Sequence, residues 1–402
     1  MSTTSPAPST TTEQTIRDVI EPLATIERGA GSPGEERAAK MLAEMFERVG
    51  VRAQIDEEWF RMGYARLLMP LGLVGLLASL RAARGKRSRL LSLASAAAAG
   101  LLIDDVENGR RWWRKAVAKP QKTWNVVAEV GDPEAKKTLV VLAHHDAAPT
   151  GKIFDPSLQL WLAENHPEVI QRTDTGAPFW WPSAGGVLIG AAAIATGSRF
   201  LGRLGTFVGL LNAATGLDIA RHRIVPGAND NLSGVGALVG IAERLTREPV
   251  SGVRVILASC GAEEVLQGGI YGFVERHLAP LDPKDVSVVN LDSIGGPQLV
   301  LIEGEGPFVM HDFDPELRDL VAAVYERTTG EPLRRGLRAR ASSDTIVPSR
   351  AGYRSLMIGS WEPETKLIIN YHQMSDTADK LTWSSIARAV DVCEALAREI
   401  AS

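Results

Sequence analysis

The feature that most constrains this fold is a recurrence. Short apolar runs of strand length, each closed by a polar or Gly-bearing turn, alternate with stretches of helical period. Leu139-Val140-Val141-Leu142-Ala143 is a run of the fully buried kind. Trp124–Val130 precedes it, and Val253–Ala258, Val286–Leu291, Leu299–Glu303 and Ser355–Ile358 follow. Between them, Val235, Leu238, Val239, Ile241, Ala242 and Leu245 recur at helical spacing, and further helices fall near Tyr271–His277, Pro315–Thr328 and Ser384–Ala401. Upstream, Glu13–Gly50 reads as two helices around Gly29–Gly34, and Val51–Phe60 as a first strand. Strands alternating with helices predict a sheet covered on both faces. The strands at 124–130 and 139–143 are joined only by residues 131–138, too short for a parallel crossover, so these two should run antiparallel. The expected class is α/β: a mixed, mostly parallel twisted sheet with helices on both faces. No internal repeat suggests a solenoid.

Two blocks break the alternation. Residues 61–122 hold the uncharged runs Leu67–Leu80 and Leu90–Ile103, separated by Arg81, Arg84, Lys86, Arg87 and Arg89. Residues 147–225 hold Thr175–Ser198 and Leu204–Leu217, separated by Arg199 and Arg203. Because strands two and three run antiparallel, one block enters and the other leaves the sheet at the same end, and the four apolar runs should gather there as one helical module. A bilayer span needs about 20 apolar residues. Three of the runs are shorter, which favours buried helices; Trp112, Trp113, Trp180 and Trp181 at their flanks suit a membrane-docked hairpin pair. A soluble lid, a homo-oligomer contact and a membrane contact all remain open. The domains then read as a disordered tail at 1–14, a catalytic unit from 15–60, 123–146 and 226–402, and inserts at 61–122 and 147–225.

Charge and cysteine content bound the function. The 402 residues carry 44 Lys+Arg against 48 Asp+Glu, a net charge of −4 that gives no case for nucleic acid as a partner. Cys260 and Cys393 are the only cysteines, too few for a disulfide scaffold. Residues 1–12 are rich in Ser, Thr and Pro without a basic and apolar leader, so no signal peptide is seen and the expected compartment is the cytoplasm, with membrane association left open.

Chemistry gathers at the ends of the predicted strands, where α/β sheets place ligands. His144-His145-Asp146 ends one strand, Gly261-Ala262-Glu263-Glu264 follows another, and Asn290-Leu291-Asp292 ends a third. Asp230 lies in Gly227-Ala228-Asn229-Asp230-Asn231-Leu232-Ser233-Gly234, just before a helix. His372 sits in the polar loop Tyr371–Thr377. Alone, each motif has an ordinary structural reading: an N-cap, a solvated acidic pair, a loop histidine. Together they offer two histidines, three acids and a spare acid, a mixed N/O set that suits Zn²⁺, with Mn²⁺ or Co²⁺ as substitutes.

In their order, His144-x-Asp146, Gly227–Gly234, Glu263-Glu264, Asn290-Leu291-Asp292-x-Ile294-Gly295 and Tyr371-His372 resemble the motifs of the co-catalytic di-zinc aminopeptidases of metallopeptidase family 28. The resemblance covers about 15–60, 124–146 and 226–401. It implies a zinc aminopeptidase-like, phosphorylase/hydrolase-like fold, a peptide substrate and two Zn²⁺ per chain. By the family's roles, Asp230 bridges both ions, His144 and Asp292 complete one site, Glu264 and His372 the other, Glu263 is the general base, and Asp146 orients His144. Two departures stand out. Residues 147–225 separate His-x-Asp from the bridging acid, and Thr345 stands where the family often has His, so Asp344 receives no role. A carboxypeptidase or amidohydrolase on the same core, and a non-catalytic or membrane-associated scaffold with this fold, are the alternatives.

Overall fold

The computed structural model describes residues 10–402. Of the expected tail at 1–14, residues 1–9 lie outside the described residues, and the remainder is a correction. Helix α1 (Thr10–Leu23) starts well before residue 15 because Ile16, Val19, Ile20 and Leu23 form an apolar stripe that the core buries completely or nearly so.

Helix α2 (Pro33–Arg48) follows, capped by the Ser32 side chain, and leads into strand β1 (Ala53–Arg61). The first insert contributes α3 (Ala65–Ala83), α4 (Arg89–Val106) and α5 (Trp112–Val117) before β2 (Pro120–Gly131) and β3 (Thr138–His144). The second contributes α6 (Ser157–Asn165), α7 (Pro167–Gln171), α8 (Trp181–Thr196) and α9 (Arg199–Ile219). The chain then runs α10 (Ser233–Arg247), β4 (Arg254–Cys260), α11 (Ile270–Phe273), β5 (Val286–Leu291), β6 (Val300–Glu305), β7 (His311–Asp312), α12 (Pro315–Thr329), β8 (Arg334–Ala339), α13 (Ile346–Arg350) and β9 (Arg354–Gly359). A ribbon of β10 (Trp361–Glu362) and β11 (Leu367–Ile368) and the closing helix α14 (Trp383–Ala401) complete it.

The main sheet has the order β1-β2-β4-β3-β5-β9-β6-β7, with β8 also on β6. Its centre, β4-β3-β5-β9, is parallel. β1 and β2 are antiparallel on one flank, and β6 is antiparallel to β9 on the other. β2 and β3 run in opposite directions, as their short link requires, but β4 lies between them: Ala258 faces Val127 on one side and Leu142 on the other. The pleat sorts β3 by residue parity. Leu139, Val141 and Ala143 join the cluster under α1, α2, α10, α12 and α14, while Val140 and Leu142 join Phe273 and Leu278 on the opposite face. Complete burial of each such Val or Leu contributes about 1.5–3 kcal/mol.

The two inserts meet, as expected from their common end of the sheet. α3 packs against α4, α8 and α9, and α8 packs against α4 and α9, so the apolar runs form one four-helix bundle. The helices are 19, 18, 16 and 21 residues long, longer than the uncharged runs within three of them.

Candidate metal centre

Three of the five proposed ligands, His144, Glu264 and Asp292, sit at or just past the C-terminal ends of neighbouring parallel strands, β3, β4 and β5. Asp230 comes from the turn before α10 and His372 from the loop after β11. All five are buried. Asp230 lies between the two histidines. Its Oδ1 is 3.3 Å from His144 Nε2 and its Oδ2 is 3.4 Å from His372 Nε2. Glu264 Oε2 is 3.2 Å from His372 Nε2. Donor atoms of His144, Asp230 and Glu264 all lie within 4.8 Å of one another. Glu263 Oε2 is 4.0 Å from His144 Nε2, and Asp292 lines the same cavity. His145, the other imidazole of the pair, occupies the opposite parity of the strand end, where its Nδ1 is 2.9 Å from Ser259 Oγ.

The ligand loops are held through their main chains. Asp146 lies 3.4 Å from His144 Nδ1, and it also accepts the Glu263 and Glu264 N–H groups at 3.0 and 3.1 Å. Asp376 does the same for the next loop, accepting Asn229 N–H at 2.8 Å and Asp230 N–H at 3.1 Å. Arg28, fully buried, joins these loops to α1: its guanidinium donates to the carbonyls of His145 (2.8 Å), Pro226 (2.8 Å), Gly227 (3.1 Å), Leu23 (2.9 Å) and Ile26 (3.3 Å). Gly227 has φ +59°, and a Cβ there would stand 2.6 Å from Asp230 O and 2.8 Å from Arg28 Nη2. Glu35 holds the turn before Glu263 by accepting Ala262 N–H at 2.7 Å. The two asparagines beside Asp230 bind the Asp292 loop. Asn231 Oδ1 accepts Ser293 N–H at 3.1 Å, and Asn229 Oδ1 accepts Gly295 N–H at 2.7 Å. Sequence reasoning gave no role to Arg28, Glu35 or Asp376. Their common sign was polarity without a motif; in Arg28's case, a lone cation between apolar Ile26 and the Gly29–Gly34 turn.

The electrostatics suit a cation. Burial and crowding of like charge push Glu263 well above the ordinary carboxylate range, Glu264 up to about 7 and Asp292 up to about 6. Asp230 moves the other way, below the usual range, because both histidines stand against it despite its burial. His144 and His372 are raised by the surrounding carboxylates against the effect of burial, His372 to about 10. His145, buried without such a partner, falls to about 4. Asp344, to which the sequence assigned nothing, is fully buried beside Cys260 and raised to about 8 by its burial, with Asp146 and Asp292 adding to the effect. Glu264 Oε1 and His372 Nδ1 have no hydrogen-bond partner, and His144 Nδ1 has only Asp146, at 3.4 Å. A divalent cation among these donors would relieve both the excess negative charge and the orphaned Glu264 oxygen, and the imidazole/carboxylate set is the kind zinc prefers.

The cavity over this cluster measures ≈ 580 Å³. The six proposed site residues other than Asp146 line its floor, and its walls are apolar: Phe154, Leu162, Ile170 and Phe179 from the second insert, Met357 and Trp361 from the catalytic unit.

Residues 215–397 match the model of peptidase family M28, the family read from the five motifs. No curated protein matches the chain. Among solved structures, it is similar to a glutaminyl cyclase from Bacteroides thetaiotaomicron, solved bound to N-acetylhistamine (TM-score 0.58, 15% identity, covering 98% of this chain and 99% of that one). It is similar as well to a leucine aminopeptidase precursor from the same organism (0.56, 14%, 98% and 98%) and to BSAP, a zinc aminopeptidase from Bacillus subtilis (0.55, 15%, 98% and 96%). At these identities the likeness is one of fold, and the fold is the mixed α/β arrangement of the zinc aminopeptidases.

Proposed function

We propose that this chain, with its family M28 metallopeptidase-like fold, is a di-zinc aminopeptidase that removes N-terminal residues from peptides. The observation that carries the reading is Asp230, whose two carboxylate oxygens face two different histidines. One carboxylate bridging two ions about 3.5–4 Å apart is the arrangement of two-metal hydrolases. In this reading His144 and Asp292 would hold one ion with Asp230, and Glu264 and His372 would hold the other, and when bound the ions would supply the Lewis acidity that polarises the scissile carbonyl and acidifies the attacking water.

The chain's own residues do the rest. Glu263 takes the water proton and delivers it to the leaving amine. Its Oε1 accepts Gln267 Nε2–H at 2.8 Å, which fixes the side chain at the cavity floor. Asp146 orients His144 and fixes the backbone on which Glu263 and Glu264 stand. A cavity with mostly apolar walls over the cluster suits a terminal residue with an apolar side chain. Acids favour an amine over a carboxylate there. Glu305 lines the cavity with Oε1 free of any partner, while the cavity's cations are engaged: Lys366 with the carbonyls of Ile170 and Thr173, and Arg340 with Phe308 O and the face of Trp181.

The test is zinc content measured on purified protein alongside a panel of free-amine peptides, N-blocked peptides and peptides beginning with glutamine. Hydrolysis of free-amine peptides with apolar N-terminal residues, and none of blocked ones, is expected. Equal cleavage of blocked peptides, or cyclisation of glutaminyl peptides without hydrolysis, would overturn the reading.

A further inference from the structure

The four-helix bundle differs from one that faces water in its tightest seams and in its outer face. A water-exposed bundle buries large apolar side chains and shows polar ones. Here the seams are small. The Cβ that Gly75 lacks would stand 2.6 Å from Val187 Cα, and that of Gly190 would stand 2.3 Å from Gly75 O. Gly202, Gly205 and Gly209 of α9 meet α3 in the same close manner. Ser95 Oγ donates across the seam to Val187 O at 2.8 Å, and Ser92 Oγ to Ala191 O at 3.0 Å. Close backbones and serine hydroxyls bonded between helices are how helices associate in lipid, where apolar bulk gains nothing from facing inward.

Leu68, Leu71, Leu76 and Leu102 lie inside, but large apolar residues also point out, and they do so on every helix. Leu73 and Leu77 of α3, Leu93 of α4, Leu188 of α8, and Phe207 and Leu211 of α9 are each 47–68% exposed. A second copy of the chain would cover one side of such a bundle; a hydrocarbon phase covers all sides. The charges agree. Neither 65–103 nor 175–217 contains an Asp or Glu. Their cations, Arg66 apart, gather at the tip where the two hairpins turn, Arg81, Arg84, Lys86, Arg87 and Arg89 on one and Arg199 and Arg203 on the other. The tips touch: Ser88 N–H donates to Ile194 O at 3.2 Å. At the other end of the bundle, Arg66, Arg110, Arg221 and Arg223 are exposed, and Trp112 and Trp181 stand half out of the protein. At 1.5 Å per residue the helices are about 24–31 Å long, close to the roughly 30 Å of a hydrocarbon core. α3 alone meets the length and hydropathy of a span, with a mean hydropathy of 1.4. α9, at 21 residues, is long enough to cross, and its Arg199 and Arg203 are confined to its first turns, from which long side chains reach the headgroups.

We propose that the bundle spans a lipid bilayer as two hairpins, its basic tip in the anionic headgroup layer opposite the catalytic unit. A bundle lying flat on the surface would leave half of its apolar ring in water, and a bundle inserted only halfway would put its tip cations in hydrocarbon.

Cys260 and Cys393 are buried, so single exposed cysteines report cleanly. Lys40→Cys on α2 and Lys86→Cys at the tip are labelled with a membrane-impermeant maleimide in intact spheroplasts and after lysis. One of the two sites should label before lysis and the other only after it. The purified full chain should float with phosphatidylcholine/phosphatidylglycerol vesicles and stay with them through high salt and alkaline carbonate. Leu77→Glu with Phe207→Glu, both on exposed positions, should lower the vesicle-bound fraction several-fold while the melting temperature in detergent holds. Labelling of both cysteines from the same side would overturn the proposal. So would a chain that is monodisperse without detergent and stays at the bottom of the gradient, whether as a monomer or as a dimer.

Discussion

Replacing Arg28 with methionine removes a side chain whose hydrogen bonds tie the end of α1 to the loops carrying Asp146 and Asp230. Methionine fills much of the same space, so the change is mainly the loss of five donated hydrogen bonds. Hydrogen bonds from a charged group contribute about 1.5–3 kcal/mol each, and the carbonyls left behind are costly to keep buried without a partner. Against this, the guanidinium itself is buried at a cost. Burial holds its pKa down at about 10, only partly opposed by Asp146, Asp376, Glu264 and Asp230. Breaking one side of such an arrangement costs about 3–5 kcal/mol net. At about 2 °C per kcal/mol for a large domain, the metal-free chain should melt roughly 6–10 °C lower. Three of the five carbonyls belong to the ligand loops, so zinc affinity should also fall, by about 10–100-fold as for other groups that orient ligands. Arg28→Lys should recover little, because one ammonium cannot reproduce the planar fork that serves His145, Pro226 and Gly227 together. Thermal melts in chelator and a competitive zinc titration read the two effects separately. A methionine variant that melts with the wild type and binds zinc as tightly would refute the argument that Arg28 sets these loops.

Asp230→Ala should lose both metal ions and not one, because the carboxylate faces both histidines; elemental analysis showing wild-type metal content would remove it from the centre. Glu263→Gln should keep the metal and the fold but lose turnover by about 10²–10⁴-fold, with kcat falling more than KM changes; a metal-free variant would make Glu263 a ligand instead. Metal-free protein should lose stability as pH rises from about 4 to about 8. Glu263, Glu264, Asp292 and Asp344 hold protons more tightly folded than unfolded, and so do His144 and His372, so the folded state binds the excess protons throughout that window. His145, lowered to about 4, opposes this between about 4 and 6.5, and His311, also lowered by burial, opposes it in the same sense. The stabilisation gained on adding zinc should therefore grow with pH, and a melting temperature flat in chelator across that range would contradict the electrostatics of the site.

The sheet was legible where strands were apolar throughout. β3, β4, β5 and β9 announce themselves because a parallel strand buried on both faces has no polar parity to confuse the reading. Their order in the sheet was not legible. The short link from β2 to β3 dictates direction alone, and nothing in it reports that β4 pairs between them. β8 escaped notice because its Arg334, Arg335 and Gly336 are exposed on the sheet's edge and carry no apolar pattern. Helix α1 was read short for the opposite reason: Thr10–Thr12 continue a Ser/Thr/Pro-rich composition, yet tertiary contacts at Ile16, Val19 and Ile20 extend the helix back through them.

The candidate ligands stood out in the sequence because each stands in a short polar turn beside an apolar strand or helix, and metal chemistry restricts which side chains are useful there. The residues that hold them did not, because their work is done on backbone atoms. Asp376 reaches back 146 residues to the N–H of Asp230, Glu35 reaches forward 227 to Ala262, and Arg28 reaches 199 to Gly227. No spacing rule joins such pairs, and the partner atom is one every residue carries. Two acids that each clamp consecutive N–H groups, Asp146 on Glu263-Glu264 and Asp376 on Asn229-Asp230, fix two ligand loops by the same device. Arg28 then donates to the carbonyl of His145, beside the first clamp, and to those of Pro226 and Gly227, before the second. A shift of α1 would therefore be transmitted to both sides of the metal centre at once. This is the structural reason the N-terminal helices belong to the catalytic unit although they carry none of its ligands.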